Sequence, residues 1–168
     1  MLEIEQSPEY RTDQVNNAYE VYLHRAADPS GLQTGLSVLA YSGLKLEQEF
    51  IAASPEFFQL QGSGTYNGWL TAIYQDALGR AVDQGGRAAF DYELSNGLIT
   101  LRQAAHIILT SQEYDQDLVN RYYAQFLRRS ADPGGAVFWL NELLSGVPLE
   151  QVIAGFVGST EYFNLAQT

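Results

Sequence analysis

One pattern occurs three times along the 168 residues, and this repetition limits the possible folds more than any other feature. In each copy an apolar residue lies 13 positions before an aspartate, an arginine lies three positions before that aspartate, and a glycine lies three positions after it. The three sets are Arg25, Asp28 and Gly31, then Arg80, Asp83 and Gly86, then Arg129, Asp132 and Gly135. Self-similarity at such a spacing is typical of repeat architectures, in which each copy is one supersecondary unit.

A Ser-x-Glu-aromatic motif closes each copy, 26 to 28 residues after the aspartate. The serine and glutamate pairs of these motifs are Ser54 and Glu56, Ser111 and Glu113, and Ser159 and Glu161. A fourth occurrence, with Ser7 and Glu9, stands near the N-terminus. We interpret this first occurrence as the end of a preceding module or as part of a lead-in helix.

The apolar residues of each copy follow a helical period. In the third copy, apolar side chains fall at i, i+3, i+4, i+7 and i+8 from Val119, and the same positions from Val15 and Leu70 are also apolar. This spacing predicts one apolar stripe on an α-helix. A second helix should begin at each repeated aspartate and end near Gly43, Gly97 or Gly146, and a third should precede each Ser-x-Glu motif. The sequence therefore predicts an all-α fold of three modules, each with about three helices, packed into one compact helical array.

The spacing between the copies sets the module boundaries. The intervals between a closing aromatic residue and the next apolar stripe are equal except at "GSGTYNG", where glycine and small polar residues indicate an exposed flexible loop. The predicted segments are a tail or lead-in helix at 1–14, a first module at 15–61, a connecting loop at 62–69, a second module at 70–118 and a third at 119–168.

The charge of the chain excludes several classes of partner. A formal net charge of −11 repels phosphate backbones and anionic headgroups, so we expect no nucleic acid binding and little attraction to a bare membrane. No apolar run approaches the roughly 20 residues that span a bilayer, so we expect no direct membrane insertion. The start "MLEIEQSPEY" lacks the basic and apolar regions of a signal peptide. The chain contains no cysteine, which excludes thiol nucleophiles and cysteine-ligated metals. A divalent cation at the acidic surface is the one metal interaction left open.

The repeated polar residues are better explained by helix capping than by chemistry. The three aspartates could be cation ligands, but the dense oxygen pattern of a calcium loop is missing. An aspartate N-cap, an arginine at the preceding helix end and a glycine for close approach account for each residue type. The repeated glutamates are expected to pair with the arginines. We predict no catalytic residues, no cofactor and no resident metal site, and we interpret His24 and His106 as ordinary helix residues.

Two aromatic residues beside the connecting loop are the candidate ligand contacts. Tyr66 and Trp69 flank the glycine-rich stretch, where an exposed ring could stack on a sugar or on a partner. Trp69 could equally anchor the helix that follows it.

The segments "YQDALGRAVDQGG", "YAQFLRRSADPGGAVFWLNELLSGVPLEQVIAGFVGSTEYF" and "SPEYRTDQVNNAYEVYLHRAADPSG" resemble the bacterial repeat family known as domain of unknown function 4214. The resemblance covers nearly the whole chain, although Gln84 stands in the second copy where the other two have proline. It implies an all-helical module found in large secreted or cell-surface bacterial proteins, with no established catalytic residues.

These features together predict a non-catalytic structural or binding module that attaches to surface polysaccharide or to neighbouring protein domains. A more distant similarity, through "LGR" and a terminal Ser-x-Glu-Tyr, points to phycobilisome linker domains. A scaffold that organises pigment proteins is therefore the alternative, and an enzyme is the third.

Overall fold

The computed structural model describes residues 7–165 and 167, and within these residues every regular element is helical. The helices are α1 (Pro8–Leu23), α2 (Pro29–Ala52), α3 (Pro55–Leu60), α4 (Tyr66–Leu78), α5 (Gln84–Ser95), α6 (Leu101–Leu109), α7 (Gln112–Leu127), α8 (Pro133–Leu144), α9 (Leu149–Val157) and α10 (Thr160–Leu165). The all-α prediction is confirmed. Residues 1–6 of the predicted 1–14 segment lie outside the described residues. Among the helices named here, none has the length and apolar character needed to cross a membrane.

The second helix of each copy begins at the repeated aspartate. The Asp28, Asp83 and Asp132 carboxylates accept hydrogen bonds from backbone N–H groups three residues later, at 2.9, 2.9 and 2.8 Å. Each bond satisfies one of the first-turn donors that a helix leaves without an internal partner. The predicted caps are therefore present in all three copies, including the second, where Gln84 replaces proline.

The Ser-x-Glu motif also begins a helix at each occurrence. The hydroxyl oxygens of Ser7, Ser54, Ser111 and Ser159 accept from the backbone N–H three residues later, at 3.1 to 3.2 Å. The following glutamate falls in the first turn, where the helix dipole favours a negative charge. The motif is thus a helix start, as its residue types predict.

The second helices end as predicted in two copies and differently in the first. Gly97 and Gly146 have positive φ angles of 66° and 89°, and the hydrogen bonds around them form Schellman C-caps. Gly43 has φ 78° and ψ 173°, outside the left-handed helical region, and helical residues continue on both sides of it. Element α2 therefore consists of the predicted second and third helices of the first copy, joined by a kink at Gly43. The break falls at the predicted glycine, but without the left-handed cap.

The described residues form two compact units. One unit spans Thr12–Thr110, where α2 packs against α6 and α4 packs against α3, α5 and α6. Its core is centred on residues with at most 1% exposure, among them Trp69, Leu70, Ile73 and Phe57.

The other unit contains the described residues up to Arg11 and those from Ser111 onward. In it α7 packs against α8, α9 and α10. Phe156 lies at the centre of its core, with ring contacts of 5.0 to 6.1 Å to Tyr122, Tyr123, Phe126 and Trp139. The apolar stripe predicted from Val119 therefore faces this core.

Candidate functional site

The repeated arginine joins four parts of its own module. In the first copy, Arg25 forms a bidentate pair with Glu56, with N–O distances of 2.8 and 2.9 Å, and also donates to the Ala26 carbonyl at 2.8 Å. Its guanidinium lies 5.2 Å from the ring centroid of Tyr19, within the range of a cation–π contact. It reaches Asp28 at 3.5 Å. We call this arrangement the arginine clamp.

The third copy repeats the whole arginine clamp, and the second repeats its contacts to the tyrosine ring, the next carbonyl and the aspartate. Arg129 forms the same fork with Glu161, at 2.5 and 2.9 Å, and lies 4.9 Å from the Tyr123 ring. Arg80 lies 5.1 Å from the Tyr74 ring and donates to the Ala81 carbonyl at 3.0 Å. The predicted arginine–glutamate pairing is observed in the first and third copies.

Sequence reasoning missed the tyrosine of the arginine clamp. Tyr19, Tyr74 and Tyr123 each lie six residues before the arginine, so the signal was present as Tyr-x5-Arg-x2-Asp-x2-Gly. The tyrosine hydroxyl also explains the repeated glycine. A Cβ atom added at Gly31 or Gly135 would overlap the facing hydroxyl. Glycine therefore allows close approach in the first and third copies, whereas a Cβ at Gly86 would lie 3.4 Å from the Tyr74 hydroxyl.

Local hydrogen bonds hold the charged residues of the arginine clamp in their ionised forms. Donation from the backbone N–H of the repeated glycine lowers the pKa of Asp28, and the same interaction lowers the pKa of Asp83 and Asp132. The hydrogen bond from Arg25 lowers the pKa of Glu56, and that from Arg129 lowers the pKa of Glu161. Groups engaged in this way are poorly suited to transferring protons.

The aspartates do not meet to form a cation site. Each one caps its own helix, and the described residues contain no group of three or more His, Asp or Glu side chains placed to hold a metal ion. A cation at the acidic surface stays a prediction.

Both histidines face a carboxylate. His106 Nδ1 lies 2.7 Å from Glu49, which is 3% exposed, and His24 Nε2 lies 3.5 Å from Asp76. Burial raises the pKa of Asp76. His24 was predicted to be a helix residue, but it lies just after the end of α1 and has φ 54°. Its equivalents, Gly79 and Arg128, also have positive φ angles, so this position ends the first helix in every copy.

Of the two candidate contacts beside the connecting loop, Trp69 is buried and Tyr66 is partly exposed. Helix α4 begins at Tyr66, inside the segment predicted as a loop, and its N-cap is Thr65. Trp69 is 0% exposed, and its indole N–H donates to the Ala52 carbonyl at 2.8 Å. Trp69 is thus a core residue that does not offer its ring to a ligand. Tyr66 is 38% exposed and packs on Phe58 with ring centroids 5.7 Å apart.

One buried carboxyl group breaks the repeat. Glu47 is 1% exposed, lies near Gly35 and Val15, and has no hydrogen-bond partner at either oxygen among the described residues. Counted back seven residues from the capping serine, its equivalents are the fully buried Ala104 and Val152. Desolvation raises the pKa of Glu47 to about 8. Sequence reasoning missed this residue, although alignment of the third helices places it at a core position.

An apolar groove of about 590 Å³ lies in the unit that contains the third copy. Its walls come from the described residues Tyr10, Phe126, Ile153, Ala154, Val157, Gly158, Ser159, Thr160, Tyr162 and Phe163, none of which is charged. Phe163 is 62% exposed at the rim. The groove can bury apolar surface of a partner but offers no acid–base pair.

Comparisons with known proteins identify the family. No curated protein and no solved structure matches the chain. A sequence model described as "Domain of unknown function (DUF4214)" matches residues 48–117 and 114–166, which is more than half of the chain. The second match covers the third copy up to residue 166, with its arginine clamp and every groove residue except Tyr10. The chain belongs to the DUF4214 family.

Proposed function

We propose that the chain is a non-catalytic structural and attachment module of a larger bacterial protein that is secreted or displayed at the cell surface. The repeated arginines and aspartates support this proposal because they are used inside their own modules, in caps and clamps. The secreted or surface location follows from the resemblance of the chain to proteins with such modules.

Neighbouring protein domains are the partners that we favour over polysaccharide. The observation that carries this choice is the apolar groove, whose described walls include Phe126, Ile153 and Val157 and no charged side chain. Sugar sites need several polar groups beside a ring, and the polar side chains of the groove's described walls are limited to the hydroxyls of Tyr10, Ser159, Thr160 and Tyr162. Burial of Trp69 removes one of the two predicted stacking candidates. Among the tyrosines that the structure describes, Tyr41 and Tyr92 are the most exposed, at 92% and 63%, and their rings could stack on a sugar.

Crosslinking the chain within its parent protein, alongside an array of bacterial glycans, tests the proposal. We expect crosslinks from the groove face to adjacent protein domains and no saturable glycan binding. Glycan binding that is lost in Tyr41→Ala or Tyr92→Ala would favour polysaccharide. Co-purification with pigment proteins would favour the linker alternative, and the absence of every partner would refute attachment.

A further inference from the structure

The first and third copies end in the same local structure. Ala52 and Val157 are each the last residue of a helix, and each is followed two residues later by the capping serine. An aromatic residue of the first helix then meets the aromatic residue of the Ser-x-Glu motif at a ring-plane angle of 75° in both copies. The centroid distances are 6.0 Å for Tyr22 and Phe57 and 6.2 Å for Phe126 and Tyr162.

In the first copy this end is covered by the start of the next copy. Trp69, in α4, is 0% exposed and donates to the carbonyl of Ala52, and Tyr22 and Phe57 are at most 1% exposed. Trp69 immediately precedes Leu70, the first residue of the second apolar stripe. One helix of one module thus closes the end of the module before it.

In the third copy, none of the residues that the structure describes covers the corresponding end in this way. Val157, Phe126 and Tyr162 are half-buried and line the apolar groove, where their first-copy equivalents are buried. Tyr10, from the N-terminal occurrence of the motif, forms part of the wall. The surface that Trp69 and α4 cover in one copy is therefore available in the other.

We infer that the groove binds the first helix of another repeat module, and that a large apolar side chain directly before that helix's stripe fills it. Tryptophan fits best. In the first copy the Trp69 indole N–H donates to the Ala52 carbonyl, and in the groove the equivalent acceptor is the Val157 carbonyl. The inference rests on the proposed function and extends to the groove an interface that the chain already contains at Trp69. The uncharged walls fit such a helix, whose apolar stripe would be buried without desolvating an ion pair.

The chain provides its own probe. A fluorescent peptide of residues 65–78, "TYNGWLTAIYQDAL", carries the Thr65 cap and Trp69. Isolated helices of this length are marginal in water, so the peptide is stapled between positions 71 and 75, both solvent-exposed and one turn apart in α4. The chain's own α4 should not compete with the peptide for the groove, because its Trp69 is already buried and bonded to the Ala52 carbonyl. Binding to the full-length chain is followed by fluorescence anisotropy.

We expect saturable binding of one peptide per chain. Trp69→Ala in the peptide should raise the Kd at least tenfold, and Phe163→Glu in the chain should raise it by a similar factor. The matched control is Phe138→Glu, because Phe138 is 54% exposed, lies in the same unit and does not line the groove. This control should leave the Kd within twofold. Circular dichroism verifies that each variant keeps its helix content.

Several results would overturn the inference. They are the absence of saturable binding, equal binding of the Trp69→Ala peptide, and equal loss in the Phe163→Glu and Phe138→Glu chains. A concentration-dependent dimer in sedimentation that Phe163→Glu abolishes would make a second copy the occupant instead. If the peptide fails while crosslinks to adjacent domains persist, only this inference falls, and if both fail, the proposed function falls with it.

Discussion

The buried carboxyl group of Glu47 predicts an unusual dependence of stability on pH. Its pKa is about 8 in the folded chain because burial penalises the charged form, against an ordinary value of 4.5. A raised pKa means that the folded state binds the proton more tightly than the unfolded state. The associated stability is therefore fully present below pH 4.5 and is lost as the pH rises through 8.

Replacing Glu47 by glutamine measures this effect, since glutamine has nearly the shape of a protonated glutamic acid and cannot ionise. At pH 4.5 the two proteins should be equally stable. Above pH 4.5, Glu47→Gln should become more stable than the parent chain. The difference between their free energies of unfolding should grow by about 1.4 kcal/mol per pH unit and reach roughly 3 kcal/mol at pH 7. That is a large share of the stability of a small domain, which is about 5–15 kcal/mol.

Urea unfolding at pH 4.5, 6, 7 and 8 provides the measurement. Trp69 reports on the unit that contains Glu47, and a Trp139→Phe background removes the signal of the other tryptophan. Glu20→Gln, at an exposed position on α1, is the matched control and should show a flat difference across the four pH values. A flat difference for Glu47→Gln as well would refute the reasoning, because it would mean that the folded chain accommodates the charged form.

Three further pairs of substitutions test the repeat itself. Arg128→Gly should stabilise the chain by about 1 kcal/mol, because φ 52° strains any residue with a side chain. Gly79→Ala, at φ 63°, should destabilise it by a similar amount for the same reason. A change of the same sign in both variants would contradict this reasoning. Gly135→Ala should cost about 1–3 kcal/mol by driving a Cβ into the Tyr123 hydroxyl. Gly134→Ala, where the nearest atom is at 3.6 Å, should cost much less. Ser54→Ala should lower stability by about 1 kcal/mol through loss of the α3 cap, and Ser37→Ala, at an exposed position within α2, should not. Thermal or urea unfolding measures all three pairs.

Carboxylates with lowered pKa values add an acid limb to the pH profile. The stability that Asp28, Glu56 and their equivalents provide is present above their ordinary pKa and is lost as the pH falls through the folded value. Together with Glu47, this places the stability maximum on the acidic side of neutrality.

Local chemistry was predictable from the sequence because capping and helical period act over three or four residues. The aspartate and serine caps, the glycine ends at Gly97 and Gly146 and the stripe from Val119 all follow from that range. Trp69 was harder, since glycine and serine around it indicate a loop, while its burial depends on Ala52, 17 residues away in sequence. Glu47 was harder still, because it follows the kink at Gly43 and is buried near Gly35, 12 residues earlier in the sequence.

The arginine clamp also determines how a module responds to a pulling force. Arg25 and Glu56 are 31 residues apart in sequence, and Arg129 and Glu161 are 32 apart. A force applied along the backbone acts on the bidentate pair between each arginine and its glutamate. The residues between them cannot extend fully until both hydrogen bonds of the pair break. The residues between one arginine and its glutamate would span about 100 Å when fully extended. A series of such modules would lengthen by up to this amount for each module whose arginine–glutamate pair and helix packing give way under load.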